Sequence, residues 1–212
     1  NKNITVDESK VWDFAKLLDE VAKINPILRI RFSTSNPQDM TDQVIDVISK
    51  HKNICNYIHL PVQSGSSKIL KLMNRGYSRQ EYLILIDKIK NKIPDCAISM
   101  DMISGFCNET EDDHLKTLSL MDIVKYDYGY MFKYSERPNT AAAKKFTDNI
   151  LEKTKQRRLT EIIAKQREHS LMHMKKRIGN SYEVLIEGKS KKSSQFYYGR
   201  TTHNATVVFK KQ

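Results

Sequence analysis

The 212-residue sequence is poor in cysteine: Cys55, Cys96 and Cys107 are the only three, and no CxxC or CxxxCxxC occurs. An odd number at wide spacing excludes a disulfide framework, offers no legible metal site, and suits a reducing cytoplasm. Cys55 and Cys96 stand at strand entries and are expected as small buried apolar residues. No apolar run approaches the ~20 residues of a membrane-spanning helix, and no signal peptide is visible. Apolar residues make up 39% of the sequence, so wholesale disorder is excluded. The length suits one large domain, or a medium domain with a smaller one.

Acid is scarce only at one end. Residues 1–143 hold 19 basic and 19 acidic side chains, whereas residues 144–212 hold 17 and 6, so the whole net charge of +11 lies in the last third. A basic segment attached to a neutral domain points to a polyanion, RNA or DNA ahead of anionic lipid. A lysine-rich solvated helix face would carry the same charge.

The first two thirds alternate helices and strands. Asp7 and Glu8 open a helix with Val11, Phe14, Leu18, Val21 and Ile24 on its apolar face. RIRFST (29–34) reads as a strand, Thr41 caps a helix bearing Val44, Ile45 and Ile48, and CNYIHLP (55–61) is a second strand. Ser66 or Ser67 starts a short helix ending near Gly76. Ser78 and Glu81 form a capping box ahead of Tyr82, Leu85, Ile86 and Ile89. AISMDMISGF (97–106) is a third strand, Thr110 caps a helix with Leu115, Leu118, Met121 and Val124, and GYMFKYS (129–135) is a fourth strand. Strands and helices in alternation predict parallel βα units, an open sheet or part of a barrel. A long helix follows over 150–178, with Leu151, Leu159, Ile162, Ile163, Gln166, Ser170 and Met174 in helical period, closed by Gly179 and Asn180. YEVLIEG (182–188), FYYGRT (196–201) and ATVVFK (205–210) then predict a small β-module. So short a module buries little by itself and is expected to lean on the long helix or to continue in further strands.

In parallel βα architectures ligands sit at the carboxyl ends of strands. All four ends here are polar: Ser33–Asn36, Gln63–Ser66, Ser104–Gly105 with Glu109 beyond, and Lys133–Arg137. Helix caps supply Ser and Thr at single ends, but four on one rim favour a ligand site. At the third end Ile103 would offer an apolar plate, and Gly105 would let a planar group approach the backbone.

HLPVQSGS, LKLMNRGYSRQEY, DMISGF followed by ETEDD, and MFKYSERP together resemble the radical S-adenosylmethionine methylthiotransferases, over nearly the whole chain. HLPVQSGS and MFKYS are most similar to the branch that modifies isopentenyladenosine in tRNA. The resemblance implies an α/β fold in three parts. Residues 1–145 would be the later strands of a partial (βα) barrel of radical-SAM type, 146–179 a linking helix, and 180–212 the start of a β-rich, OB-like TRAM module that binds RNA. It implies S-adenosylmethionine and two [4Fe–4S] clusters as cofactors. One cluster cleaves S-adenosylmethionine reductively to a 5′-deoxyadenosyl radical, and a methylthio group is added at C2 of the modified adenosine at position 37 of tRNA. The cluster-binding cysteines of the family are not in this sequence, so the chain is expected to be inactive by itself, with no catalytic residue and no metal ligand of its own.

By resemblance, Gln63 and Ser64 meet the ribose of S-adenosylmethionine, Ile103 and Gly105 lie along the adenine, and the backbone of Met131, Phe132 and Lys133 flanks the adenine edge. Glu109 is either a contact or a helix-entry residue, Arg31 points either into the barrel or out at a helix, and His59 is expected in a hydrogen-bonded structural role. The anticodon stem-loop of tRNA would be gripped by Arg157, Arg158, Lys189, Lys191, Lys192 and Arg200, with Tyr197 and Tyr198 interleaved for unpaired bases. Two positions depart from the family pattern: Cys107 where proline usually follows Gly-Phe, and Asn139 where glycine usually follows Arg-Pro. The alternatives are a non-catalytic RNA-binding protein with a barrel-like core, or a related enzyme acting on threonylcarbamoyladenosine tRNA or a ribosomal protein.

Overall fold

A computed structural model describes residues 12–33 and 36–210. Local sequence sets the helix starts. Asp13, Thr41, Ser66, Ser78, Thr110 and Thr140 each accept, through a side-chain oxygen, the amide three residues on, one of the orphan donors every helix start must satisfy. The helices that follow are α1 (Phe14–Ile24), α2 (Asp42–Lys50), α3 (Ser67–Leu72), α4 (Arg79–Lys92), α5 (Glu111–Val124) and α6 (Ala141–Lys145), with α7 (Glu152–Arg177) beyond them. Ser78 and Glu81 form the expected capping box, and so do Thr110 and Asp113.

Strands β1 (Tyr57–His59), β2 (Ala97–Ser104) and β3 (Tyr128–Lys133) form one parallel sheet in the order β1-β2-β3. Pleating sends alternate side chains to opposite faces. Ile58, Ile98, Met100 and Met102 enter the core with Val44, Ile45, Ile48, Tyr82, Ile86, Ile89, Leu120 and Tyr126 from the helices. Burying each large aliphatic side chain contributes about 1.5–3 kcal/mol. The opposite face carries Tyr57, His59, Ser99, Asp101, Tyr128 and Tyr130. Strands β4 (Leu185–Lys189), β5 (Phe196–Arg200) and β6 (Thr206–Lys210) form a separate antiparallel sheet. The fold is therefore mixed α/β with no closed barrel among the described residues.

Five expectations need correction. Asp7, Glu8 and Val11 lie outside the described residues, and the described helix starts at Phe14. Ala15, Leu18 and Ala22 form its buried face, with Phe14 and Ile24 exposed. The strand expected over 29–34 is reduced to a single parallel bridge between Ile30 and Ile54, and Thr34 is not among the described residues. The segment lies at the sheet edge, and among its described residues only Ile30 forms backbone bonds to the adjacent segment, donating to Asn53 O and accepting from Cys55 N. Asn74, not Gly76, takes the left-handed conformation after α3, which asparagine tolerates. In α5, Leu115 is exposed while His114 and Thr117 are buried.

The fifth correction concerns α7. Leu151 and Met174 are exposed, and the buried stripe is Lys155, Arg158, Ile162, Gln166 and His169. This helix lies against strand and loop ends whose backbone needs partners. Gln166 Nε2 donates to Tyr126 O at 2.9 Å, and Ser170 Oγ to Asp127 O at 2.7 Å. Polar side chains are thus buried by hydrogen bonding, which hydrophobic periodicity does not register.

The β-module is bonded to the amino ends of the parallel strands. Arg29 donates to Glu183 (2.6 Å) and to Arg200 O (2.7 Å), and Arg31 to Glu187 (3.0 Å) and Thr201 O (3.4 Å). His203 Nε2 lies 2.6 Å from Asp95, just before β2. Arg31 therefore points neither into a barrel nor at a helix, but at this module.

Candidate functional site

The strand tips meet as neighbours. Gln63 bridges to Met102, donating its amide to Asp101 O (2.8 Å) and accepting from Ile103 N (2.9 Å). Ile103 and Phe132 occupy one register position on β2 and β3, and Tyr134 N donates to Ser104 O at 2.8 Å. Gln63, Gly105 and Phe132 thus share one rim.

A hollow of about 380 Å³ opens there, lined by Ile103, Phe132, Lys133, Tyr134, Ser135, Arg137, Thr140 and Ala142. A second of about 310 Å³ adjoins it, sharing Ile103, Tyr134 and Ala142 and adding Leu72, Met73, Asn74, Arg75 and Phe106. Phe106, Cys107 and Ile69 form a small buried cluster beneath, with the Phe106 and Tyr134 rings edge-to-face at 4.8 Å. Another hollow, between α2 and α4, is crossed by the exposed pairs Lys88–Asp42 and Lys92–Asp46 and lies on the helix side of the sheet.

Of the seven residues expected at the nucleoside, Ile103, Phe132 and Lys133 line the hollow. Phe132 is 54% exposed, and Lys133 pairs with Glu152 at the head of α7. Met131 packs against the core on the helix side, so its backbone is what faces the rim. Gln63 is buried and holds a left-handed backbone, φ 73°.

Ser64 is fully buried, and its hydroxyl lies 3.4 Å from Thr117 Oγ1 on α5. Around it Gly65 N donates to Thr117 Oγ1 (2.9 Å) and Ser66 Oγ to Asp113 (2.6 Å). A Cβ on Gly65 would meet Lys116 O at 2.4 Å. The polarity of QSGS therefore serves to seat the turn against α5. Burial pushes the Asp113 carboxyl up, but hydrogen bonds from Lys68, Ser66 and Thr110 outweigh it and hold the carboxyl well below the usual range.

Gly105 is buried at φ 75°, with Lys155 of α7 beneath it. Glu109 is neither a surface cap nor a residue of the hollow. Its buried carboxylate accepts from Gly105 N at 2.7 Å and from Arg158 Nη1 at 2.8 Å. Burial raises its pKa, opposed by the Gly105 amide and by Arg158.

The sheet face opposite the helices is a further polar and aromatic surface, and the i, i+2 spacing of Tyr128, Tyr130 and Phe132 is its signal in the sequence. Ser99 Oγ lies 2.7 Å from both Tyr57 Oη and His59 Nδ1, and the His59 and Tyr130 rings meet edge-on at 6.0 Å. His59 has the hydrogen-bonded setting expected of it.

The cations expected at RNA divide. Lys189, Lys191 and Lys192 are exposed on and beside β4. Arg200 is bonded to Glu187 and Asn204. Arg157 is half-exposed and paired with Glu111 and Glu161, while the Arg158 side chain is 5% exposed and turned inward. Glu111, His114 and Glu161 bring ligand atoms within 4.8 Å of one another, but both carboxylates are engaged by guanidinium groups. The three cysteines are free: Cys55 and Cys96 stand before β1 and β2, and Cys107 follows β2. That distribution does not fit an iron–sulfur cluster. No helix among the described residues is long and apolar enough to cross a membrane.

Residues 4–121 match the Radical SAM superfamily. The chain is 56% identical over its whole length to a tRNA-2-methylthio-N(6)-dimethylallyladenosine synthase of Christiangramia forsetii, of which it covers 44%. It is 54% identical to the synthase of that name from Chloroherpeton thalassium, with all of this chain and 47% of the other aligned. For that of Karelsulcia muelleri the identity is 53%, over 98% of this chain and 46% of the other. The chain thus spans about half the length of the curated relatives it matches. Coproporphyrinogen III oxidase (HemN) from Escherichia coli, described as a radical SAM enzyme, shares the fold at a TM-score of 0.59 and 15% identity, over 89% of this chain and 50% of that one. With its parallel strand tips gathered on one rim, this chain belongs to the Radical SAM superfamily.

Proposed function

We propose that this chain is part of a tRNA methylthiotransferase that adds a methylthio group to C2 of N6-isopentenyladenosine at position 37. The observation that carries this reading is the rim hollow, where Ile103 and Phe132 present apolar surface at one register position beside the buried glycine that follows β2. Such a hollow suits a nucleoside: apolar plates for the ring, and backbone amides and carbonyls at the strand tips for its polar edge. Gln63, Ile103, Gly105 and the Met131–Lys133 backbone take S-adenosylmethionine in this reading, with Ser64 acting through the turn it seats.

When bound, S-adenosylmethionine with an iron–sulfur cluster supplies the radical chemistry. This chain's own residues orient the nucleoside and shield it from water. Two clusters serve the whole enzyme, held by cysteines other than the three in this chain. Lys189, Lys191, Lys192 and Arg157 supply phosphate contacts to the anticodon stem-loop, which position without reading sequence. The setting is cytoplasmic.

The test is anaerobic turnover by the full-length protein with S-adenosylmethionine and tRNA carrying N6-isopentenyladenosine, followed by mass spectrometry of the nucleosides. A 2-methylthio product is expected. Product only with threonylcarbamoyladenosine tRNA or a ribosomal protein would move the enzyme to another substrate, and RNA binding without S-adenosylmethionine binding would leave a non-catalytic RNA-binding protein.

A further inference from the structure

Behind the tip of β2 two charges meet out of reach of solvent. The side chains of Glu109 and Arg158 are 1% and 5% exposed and 2.8 Å apart. A buried ion pair costs several kcal/mol per ion in desolvation, and an apolar pair of similar volume often holds two elements together as well. The pair's remaining hydrogen bonds show a more specific use. Glu109 Oε2 also accepts the Gly105 amide at 2.7 Å, and Arg158 Nη1 donates to Glu109 O at 3.0 Å. Nη2 and Nε of Arg158 reach Glu111 at 3.0 and 3.3 Å. One turn earlier on α7, Lys155 fills the space beneath Gly105, and its carbonyl accepts from Ser104 Oγ at 3.3 Å. Gly105 is left-handed, so its backbone orientation depends on what holds the amide.

We propose that Arg158 is a positioning residue for S-adenosylmethionine: through Glu109 it fixes the Gly105 amide, and with it the backbone plate at the tip of β2 on which the ligand packs. The first turns of α7 then belong to the ligand site, and the RNA grip begins with the outward-facing Arg157. This inference rests on the S-adenosylmethionine reading of the rim.

The test uses the full-length protein and measures the dissociation constants of S-adenosylmethionine and of tRNA separately, together with thermal stability. Arg158→Met is expected to weaken S-adenosylmethionine binding about tenfold, the scale of one lost hydrogen bond to a charged group, with tRNA affinity within about twofold. Arg158→Lys keeps the charge but not the fork, and is expected to recover part of the loss. Arg157→Met should do the reverse, weakening tRNA and sparing S-adenosylmethionine. Because an unpaired Glu109 can unfold the single variant, the double variant Glu109→Leu/Arg158→Met replaces both charges with apolar groups. It is expected to fold and still bind S-adenosylmethionine about tenfold more weakly. A folded double variant with wild-type affinity would overturn the inference, as would an Arg158→Met protein that loses tRNA affinity alone. Wild-type protein that binds no S-adenosylmethionine would overturn the underlying reading, and the inference with it.

Discussion

Lys155 lies directly beneath Gly105: a Cβ built on the glycine would stand 2.3 Å from the lysine Cγ. The lysine cannot swing away freely, since its ammonium group is held by Asp148 and Tyr134 O and sits 5.4 Å from the Tyr134 ring centroid.

Gly105→Ala should therefore destabilise the protein twice over. The left-handed backbone alone costs a non-glycine residue about 1–2 kcal/mol, and the contact with Lys155 adds to it. Urea unfolding should show a lower midpoint than wild type. An unchanged midpoint would mean that the tip of β2 readily adopts another backbone path.

A second prediction concerns the phenol pair inside the core. Tyr82 Oη donates to Leu60 O at 3.0 Å and accepts from Tyr126 Oη at 3.1 Å, with both rings fully buried. Tyr82→Phe leaves a buried carbonyl and a buried hydroxyl short of a partner, at a cost of about 1–3 kcal/mol. Denaturant melts of the two proteins measure it, and a loss below ~0.5 kcal/mol would show that the core rearranges to satisfy both.

The bridge between α5 and α7 predicts a dependence on acid. The Arg157 guanidinium, with Arg158 behind it, holds the Glu111 carboxyl down at about 2, against a smaller opposing effect of burial. A carboxyl whose folded pKa is depressed contributes stability that is complete above the unfolded value near 4.3 and is lost as pH falls through the folded one. Wild type should therefore lose stability between about pH 5 and pH 2 faster than Glu111→Gln, compared by thermal melts at stepped pH. Parallel curves would remove Glu111 from the acid response.

For the RNA grip, the salt dependence is the discriminating measurement. Lys191→Ala with Lys192→Ala should weaken tRNA binding and reduce the slope of log K against log salt by about one unit per lysine. The same slope in variant and wild type would place the phosphates elsewhere.

Much of this was legible because local rules govern it. Caps such as Ser78 with Glu81 follow from backbone satisfaction within a few residues. The edge segment at Ile30 was not, because whether an extended run becomes a strand depends on a partner distant in sequence. Nor was most of the inner face of α7: Arg158 reads as an outward cation, and Leu151 and Met174 as inward, yet Glu109 draws Arg158 inside while the two apolar residues stay exposed. The same holds for Arg158, expected at RNA and found turned toward Glu109, and for the hydroxyl of Ser64, expected at a ribose and found beside Thr117.

The β-module is fastened at Asp95 and Arg29, while the hollow lies past Ser104 at the far end of β2. Eight strand residues separate the two levels, about 26 Å at 3.3 Å per residue. A substrate engaging both must be long in one dimension, so a lone nucleoside could fill the hollow without ever sensing the module. Length discrimination would then be built into the scaffold, with the sheet serving as a ruler.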